Sequence, residues 1–367
     1  MDNIKDDGFL FFFICPLRFR QIARFPDKKY IPATTLQLHP FCVISKEIFR
    51  VIQSLFIFYF FILLTACQHK ELCYDHHHTE KVCVVFDWRN APDADPGKMW
   101  VYLYPDDGGE VQLYEFSGRN GDTLDLPYGS YRGICLNSDS HVQTYRGTEK
   151  YETCEVYAVD GRLGVRSASA PRAEGAESQI LVQSPDRLWT DRQENIHVVR
   201  GNGLHTITFY PSWKLQKIHL LIDSVDNLET VLAGGICGSI SGMAGGRLPG
   251  MDKLSPEQVT IPFSVARTGG NRSSLEADFF VYGHCQDRQN PHHIMLYVTQ
   301  SDGSRYYYDY DVTDQLHKGD WKNEAVIYIH LDRLKIPGIL PPAPGGEDGG
   351  FQPDMDQWES VDVPLQM

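Results

Sequence analysis

Residues 82–88 read Val-Cys-Val-Val-Phe-Asp-Trp, and this stretch indicates the fold class of the chain. Every second residue from Val82 to Trp88 is apolar or aromatic, and the residues between them are Cys83, Val85 and Asp87. A period of two is typical of a β-strand that buries one of its faces. The pattern therefore predicts a strand at the start of the folded part of the chain.

Similar short patterns, separated by turn residues such as those of Pro105-Asp-Asp-Gly-Gly109, continue from here towards the C-terminus. The predicted strands are Met99–Tyr104, Val111–Phe116, Thr123–Leu126, Tyr131–Asn137, Tyr151–Ala158, Ile196–Arg200, His205–Tyr210, Lys214–Asp223, Leu228–Ala233, Thr260–Val265, Asp278–Tyr282, Ile294–Thr299, Arg305–Tyr310 and Glu324–Leu331. Short strands at this spacing are typical of a sandwich or a barrel. No long amphipathic helix pattern interrupts them, so two all-β domains are the economical interpretation.

The pattern divides the chain into predicted segments. The non-periodic stretch 161–177 is interpreted as a loop or linker, and 184–195 as a short helix or a polar connection. The segments are an extension (1–45), a signal (46–66), a tether (67–80), a first β-sandwich domain (81–190), a second β-sandwich domain (191–335) and a Pro- and Gly-rich tail with a final strand (336–367).

The signal is the most specific feature of the N-terminal region. Ten unbroken apolar residues, 55–64, end in Leu64-Thr65-Ala66-Cys67, and Lys46 and Arg50 precede them. The run is shorter than the ~20 residues that span a bilayer, but it fits the apolar core of a signal peptide. Small residues followed by Cys resemble the lipobox of a bacterial lipoprotein, in which the Cys is acylated and becomes the new N-terminus. The alternative is a buried apolar helix whose Cys has no such role.

Two neighbouring features complete this prediction. Gln68, rather than Asp, follows the Cys, which by resemblance to lipoprotein sorting rules favours the outer membrane. Residues 1–45 do not fit a signal, and we expect them to arise from upstream translation, with the true start near Val43.

Composition limits the classes of partner. The chain carries 34 basic and 48 acidic residues; residues 1–66 hold 8 and 5 of these, so the part from Cys67 onwards has 26 against 43, a net charge of −17. Such an acidic chain lacks the basic face that nucleic acids require, so no nucleic-acid partner is expected. Six Cys follow Cys67, and an oxidising compartment would allow 15 pairings among which the sequence does not choose.

Several segments resemble known proteins. Leu126-Pro-Tyr-Gly-Ser-Tyr131 and Asn137-Ser-Asp139 resemble transthyretin-like sandwiches. Asn227-Leu228, Ser239-Ile-Ser-Gly-Met-Ala-Gly-Gly246, Tyr308-Asp-Tyr-Asp-Val-Thr-Asp-Gln315 and the tail Gly349-Gly-Phe-Gln-Pro-Asp354 are similar to motifs of FimB-like fimbrial anchor lipoproteins. That family builds the donor-strand pili of anaerobic Gram-negative bacteria, and the resemblance covers about residues 64–367.

The resemblance implies two tandem transthyretin-like β-sandwich domains after a lipoprotein signal. It also implies a lipid-anchored, surface-exposed subunit of the outer membrane that anchors or caps a fimbria by β-strand exchange with a fimbrial subunit. An open sheet edge can accept such a strand because its N–H and C=O groups are unpaired. The main alternative is a surface glycan-binding lipoprotein without a pilus role.

Candidate chemical sites are few, and neither an enzyme nor a cofactor is predicted. The sequence has no Gly-x-Ser-x-Gly and no His-Glu-x-x-His, although paired carboxylates of a glycosidase remain an alternative. His76–His78 and His292–His293 are interpreted as exposed His in a tether and a loop, with no metal. The Gly-rich stretch 234–246 is interpreted as a hairpin or bulge rather than a phosphate cradle.

Two further surface features have a functional alternative. Tyr306-Tyr-Tyr-Asp-Tyr310 and Trp321 could form an aromatic platform for sugars, but alternating aromatics on a strand usually pack in the core. Asp122-Thr123-Leu124 and Asp223-Ser224-Val225 resemble O-glycosylation sites of exported proteins at Thr123 and Ser224. The alternative is that both are plain turn residues.

Overall fold

The computed structural model describes residue 48, residues 50–59 and the range 79–361 without 165–169, 202–203, 269–273, 286–290, 323 and 340–356. The chain forms two compact units, 1–74 and 75–367. In the first unit, residues 50–59 form a helix, α1, whose large apolar side chains are exposed. None of the described helices is both long enough and apolar enough to cross a membrane. Leu64, Thr65, Ala66 and Cys67 lie outside the described residues.

The second unit begins with a two-sheet sandwich, the first sandwich. Its sheets have the strand orders β10-β1-β4 and β11-β9-β5-β2-β3. The strands are β1 (Thr79–Phe86), β2 (Lys98–Pro105), β3 (Gln112–Ser117), β4 (Thr123–Pro127), β5 (Gly129–Asn137), β9 (Trp189–Val198), β10 (His205–Phe209) and β11 (Ser212–Trp213), with a 3-10 helix at Trp88–Asn90.

A larger sandwich, the second sandwich, follows. Its sheets have the orders β17-β18-β12-β21 and β22-β20-β19-β13-β16-β8. The strands are β8 (Ile180–Leu181), β12 (Gln216–Asp226), β13 (Val231–Ala244), β16 (Gln258–Ser264), β17 (Ala266–Thr268), β18 (Ser274–Val281), β19 (His293–Gln300), β20 (Arg305–Asp311), β21 (Val326–Lys335) and β22 (Glu359–Ser360). The helix α2 (Thr313–Lys318) lies between β20 and β21, and 3-10 turns lie at Leu228–Thr230 and Pro249–Met251.

A third sheet joins the two halves of the chain. Its order is β15-β14-β7-β6, where β6 (Gln143–Arg146) and β7 (Glu155–Ala158) come from the N-terminal half and β14 (Gly246–Leu248) and β15 (Lys253–Leu254) from the C-terminal half. A cluster of buried apolar residues extends without a break from Tyr102 and Leu136 through Val156 to the core of the second sandwich. The two sandwiches therefore share packing as well as a sheet.

Each sandwich is closed in the same way, by a parallel pair between an early and a late strand. In the first, β1 pairs in parallel with β10 and antiparallel with β4. In the second, β12 pairs in parallel with β21 and antiparallel with β18. This repeated arrangement accounts for the sequence pattern, since the alternating apolar residues of each opening strand face a core. Ile218, Leu220 and Ile222 of β12 are fully buried.

The structure confirms the all-β sandwich class and corrects the limits of several elements. The predicted boundary between residues 190 and 191 falls inside β9, which pairs with β5. Because β10 and β11 also pair within the first sandwich, that sandwich ends at Trp213. Residues 191–213 therefore belong with the first half, and the predicted start of the second domain moves to β12.

Two strands, β9 and β13, occupy stretches for which the sequence predicts other structures. The stretch 184–195 holds most of β9 rather than a short helix or a polar connection: its polar residues alternate between half-buried and exposed positions of a strand that pairs with β5. The Gly-rich stretch 234–246 is mostly strand, as part of β13, and its register shifts confirm the bulge interpretation. The final strand of the tail is the two-residue β22, which pairs in parallel with β20.

The cysteines that the structure describes are not joined to one another. Cys83, Cys135, Cys154, Cys237 and Cys285 are free thiols, and three of them are buried. Burial raises the pKa of Cys237 to about 11, so this thiol stays protonated and unreactive at neutral pH.

The core of the second sandwich should respond to the loss of volume. Leu220→Ala should lower the free energy of unfolding by about 2–5 kcal/mol, because a fully buried side chain leaves a cavity. Its neighbour Leu221 points to the other face and is half-exposed, so Leu221→Ala should cost about 1 kcal/mol or less. Denaturant unfolding of both variants measures the difference; equal losses would contradict the assigned faces.

Candidate functional site: an open edge of the second sandwich

Sheet edges are the natural sites for accepting a strand, because their outer N–H and C=O groups lack partners. The second sandwich covers most of its edges with its own side chains and short strands. At β21, the side-chain amide of Gln315 in α2 receives a hydrogen bond from His330 N at 2.8 Å and donates to His330 O at 2.9 Å. This amide takes the place of a neighbouring strand, so β21 is closed at its centre.

The edges on the other side are covered in part. Ser184 Oγ accepts a hydrogen bond from Phe280 N at 3.0 Å and donates to Phe280 O at 2.9 Å, which closes the free side of β18 at that residue. The strand β8 pairs with Val259 and Thr260 of β16, and β22 pairs with Tyr306 and Tyr307 of β20. Each cover spans one or two residues.

One edge is left open over a longer stretch. On its β16 side, β13 has partners only from Cys237 onwards, and no described strand pairs with residues 231–236 on that side. The chain leaves β16 after Ser264 and enters β17, which belongs to the opposite sheet. The open stretch is six residues long, from Val231 to Ile236.

A cleft lies beside this open stretch. It has a volume of about 490 Å³ and is lined by residues 231–236, Val265, Arg267 and Leu275. Most of the lining is apolar, and Leu232 is 45 % exposed at its rim. Among the described residues that line the cleft, the charged one is Arg267, and its guanidinium donates to Val231 O at 3.2 Å. The cleft combines free backbone groups with apolar surface.

Glycine creates the shape of the cleft. On the β19 side, Val231 pairs with Gln300 and Ile236 with Val298, so the four residues between them form a wide bulge. Gly234 has φ of +71°, a conformation that residues with a Cβ rarely adopt. A Cβ on Gly235 would lie 2.6 Å from Thr299 O. The backbone conformation that Gly234 and Gly235 allow therefore exposes Leu232 and Ala233 to solvent.

The other predicted site residues are distributed over the surface and the core. Thr123 at the start of β4 and Ser224 in β12 are both exposed, as glycosylation would require, but they lie in strands rather than in turns. The tether residues His76–His78 lie outside the described residues. The prediction that His292 and His293 lie in an exposed loop is wrong. His292 is fully buried, and His293 is half-buried, with its Nδ1 in a hydrogen bond to Asp309 Oδ1 at 2.5 Å.

His292 belongs to a group of three that the sequence analysis missed. His284, His292 and His317 place ring nitrogens within 4.8 Å of one another. Burial, with His292 and His317 as neighbours, lowers the pKa of His284 to about 4. Burial also lowers the pKa of His292. The three residues are distant in sequence, so no local pattern connects them.

The aromatic segment of β20 packs inwards. Tyr308 and Tyr310 are buried, and their hydroxyls donate to Lys335 O at 2.7 Å and to Arg333 O at 3.3 Å. The indole of Trp321 donates to Leu316 O at 2.7 Å. These residues tie the two sheets together and confirm the core interpretation over a sugar platform.

The fold defines an all-β protein of two sandwiches joined by a shared sheet. The chain belongs to the DUF5119 family, described as a domain of unknown function, which matches residues 66–264.

Relatives in sequence and structure are of the fimbrial anchor and adhesin kind. The chain is 25% identical over 187 residues to "Putative fimbrium anchoring subunit Fim4B" of Bacteroides ovatus; the match covers 50% of this chain and 51% of that protein. The chain thus spans about half the length of this curated relative. A crystal structure of a "putative adhesin" from Bacteroides ovatus is similar, with a TM-score of 0.56, 19% identity, and coverage of 76% of this chain and 99% of that one.

A second solved structure has a name of the same kind. The fimbrial anchor protein Mfa2 from Porphyromonas gingivalis matches with a TM-score of 0.43 and 14% identity, over 70% of this chain and 90% of that one. The match to the curated relative confirms the resemblance to fimbrial anchor proteins.

The amide bridge at β21 can be tested by hydrogen exchange. Gln315→Leu should speed exchange at the His330 amide by about fivefold, because the hydrogen bond that it removes contributes about 1 kcal/mol. Asp314→Ala, an exposed change on the same helix, is the control and should leave that amide unchanged. Unaltered exchange in Gln315→Leu would show that the side chain does not close this edge.

Proposed function

We propose that this chain is a lipid-anchored outer-membrane subunit that anchors or caps a fimbria by accepting a β-strand from a neighbouring fimbrial subunit. The observation that carries the proposal is the open stretch of β13 at 231–236, which borders an apolar cleft. The name of the Bacteroides ovatus relative supports a role at the base of a fimbria.

Strand addition at this edge would combine two favourable contributions. Main-chain hydrogen bonds to β13 would satisfy groups that now lack a strand partner, and they would supply affinity that does not depend on sequence. Alternate side chains of the added strand would enter the cleft and cover Leu232, at about 25 cal/mol per Å² of apolar surface removed from water. Specificity would come from the shape of the cleft and from the charge of Arg267.

Unequal protection of the edges of the second sandwich favours a single acceptor site there. The β21 and β18 edges carry side-chain caps, and β16 and β20 carry short strands. Such covers oppose pairing with a second chain. Within the second sandwich, pairing with a partner strand is therefore favoured at the open stretch of β13 and opposed at the other edges.

The membrane attachment rests on the sequence of the signal. Acylation of Cys67 would fix the chain to the outer membrane, since several acyl chains together give a stable anchor whereas one alone is marginal. The polar segment 68–78 would then act as a tether between the lipid and β1, which begins at Thr79 and includes the last two residues of the predicted tether. The acidic surface of the folded part suits an exposed, well-solvated position.

A substitution of Leu232 tests directly whether the open stretch 231–236 of β13 accepts a strand. Leu232→Asp should weaken partner binding about tenfold or more, because it places a charge where the added strand would bury apolar surface. Leu113→Asp is the matched control, since Leu113 is 48 % exposed on an edge strand of the first sandwich. Each variant is extracted in detergent from the outer membrane of the producing organism, and its complexes are compared before and after heating.

A heat-labile complex with another β-rich exported subunit, lost in Leu232→Asp and kept in Leu113→Asp, is the expected result. Equal recovery from both variants would place the contact elsewhere. Recovery of the unaltered protein only as a lipidated monomer would contradict the pilus role and favour the glycan-binding alternative.

Cys67 is tested separately. Cys67→Ala should leave the two sandwiches intact, since the residue precedes β1, but it should abolish lipid attachment and release the protein from the membrane. Cys73→Ala, six residues further along the tether, is the control and should keep the lipid. Intact-mass spectrometry decides the matter: an acyl mass that persists in Cys67→Ala would disprove the assignment.

A further inference from the structure

Three histidines from separate segments meet inside the second sandwich. His284 follows β18, His292 directly precedes β19, and His317 lies in the last turn of α2. His284 and His292 are 4 % and 0 % exposed. The three histidines lie apart from the open stretch 231–236 of β13, and the proposed function assigns no role to them.

The spacing of the three rings matches a metal-binding geometry. Ring centroids are 5.3 Å apart for His284 and His292, 5.0 Å for His284 and His317, and 5.4 Å for His292 and His317. A tetrahedral zinc ion with Zn–N distances of about 2.1 Å would place the centroids of its imidazole ligands about 5.3 Å apart. The triangle is nearly equilateral and has this size.

Hydrogen bonds already orient two of the rings. His284 Nδ1 lies 3.2 Å from Cys285 O, and His292 Nδ1 lies 3.2 Å from Ser241 O, so each can donate its N–H to a main-chain carbonyl. Metal-binding histidines commonly use their second nitrogen in this way, which leaves Nε2 with a free lone pair. His292 Nε2 lies 3.2 Å from Cys285 O, so both ring nitrogens of His292 face carbonyl oxygens. A neutral imidazole can donate to only one of them, so donation from Nδ1 leaves the Nε2 lone pair facing the oxygen of Cys285. A cation beside Nε2 would remove this unfavourable contact between two acceptors.

The third ring carries an unsatisfied atom. His317 Nε2 is buried and has no hydrogen-bond partner among the described residues. A buried polar atom without a partner costs about 1–3 kcal/mol, so such an atom calls for an explanation. A metal ion at the centre of the triangle would supply the missing partner.

The surrounding backbone makes room for the cluster. Gly242 has φ of +76°, and a Cβ there would lie 2.5 Å from His292 Nδ1. The main chain of His292 is also fixed in place, because His292 N donates a hydrogen bond to Thr313 Oγ1 at 2.8 Å. The rings thus rest on the Ser-Gly-Met-Ala-Gly segment and on the start of α2.

We propose that His284, His292 and His317 bind one Zn²⁺ ion, with the fourth position held by a water molecule or another external ligand. Three imidazoles without a carboxylate suit zinc and the neighbouring transition metals, and they exclude Ca²⁺ and Mg²⁺, which require oxygen ligands. The ion would join the ends of β18 and β19 to α2. Because α2 carries Gln315, the same ion would hold the cap on β21 in place.

Equilibrium dialysis of the full chain, freed of metal by a chelator and exposed to Zn²⁺, tests this site. We expect one zinc per chain in the unaltered protein at this site, and binding at least about 100-fold weaker in His317→Gln, which keeps the volume of the side chain but removes a ligand. A triple variant, His76→Asn with His77→Asn and His78→Asn, is the control for zinc held by the tether. It should keep the zinc at the buried triangle.

Hydrogen exchange of the unaltered protein provides a readout that does not depend on any variant's folding. Zinc should slow exchange at the amides of α2 and at His330, because it fixes the helix that caps β21. Zinc retained in His317→Gln but lost in the triple variant would overturn the proposal. So would the absence of bound zinc together with unchanged exchange of the unaltered protein.

Discussion

The second sandwich depends on the parallel pairing of β12 with β21. Nine registered pairs, from Lys217–Val326 to Asp226–Lys335, return the last long strand of the domain to its first. Antiparallel neighbours can be joined by a tight turn, whereas parallel neighbours require a longer crossover. That crossover carries the chain through the opposite sheet and α2, so the pairing also brings Tyr308, Tyr310 and Gln315 within hydrogen-bonding distance of β21.

From this closure follows an uneven distribution of edge protection. Side chains from β20 and α2 form hydrogen bonds with main-chain groups of β21. Ser184, in the connecting segment, does the same for main-chain groups of β18. The early part of β13 lies where β16 has already left its sheet, and among the described residues its contact on that side is with the guanidinium of Arg267. An open edge at this place is thus a consequence of the topology, and the bulge at Gly234 and Gly235 adds the cleft beside it.

The sequence predicted elements whose apolar residues alternate and missed those whose composition masks the strand. Ile218, Leu220 and Ile222 of β12 are buried as their spacing indicates, because each contacts a single core. Most of β9 was missed because polar residues occupy both of its faces: Asp191 and Gln193 are half-buried, and Arg192 and Glu194 are exposed. The part of β13 after Ala233 was assigned to a hairpin or bulge because glycine disfavours strands. The acceptor cleft and the histidine triangle depend on residues from distant segments, and only the tertiary fold brings these together.

Two motifs that carry the family resemblance have structural tasks in the second sandwich. Ser239–Gly246 provides the Gly242 position against which His292 packs, and Tyr308–Gln315 provides both the tyrosines of the core and the cap on β21. Neither motif includes residues 231–236, Val265 or Leu275, which line the cleft. The motifs therefore identify the scaffold, whereas the choice of a partner strand would depend on the cleft residues. Related chains with the same motifs could accept different strands without any change in the scaffold.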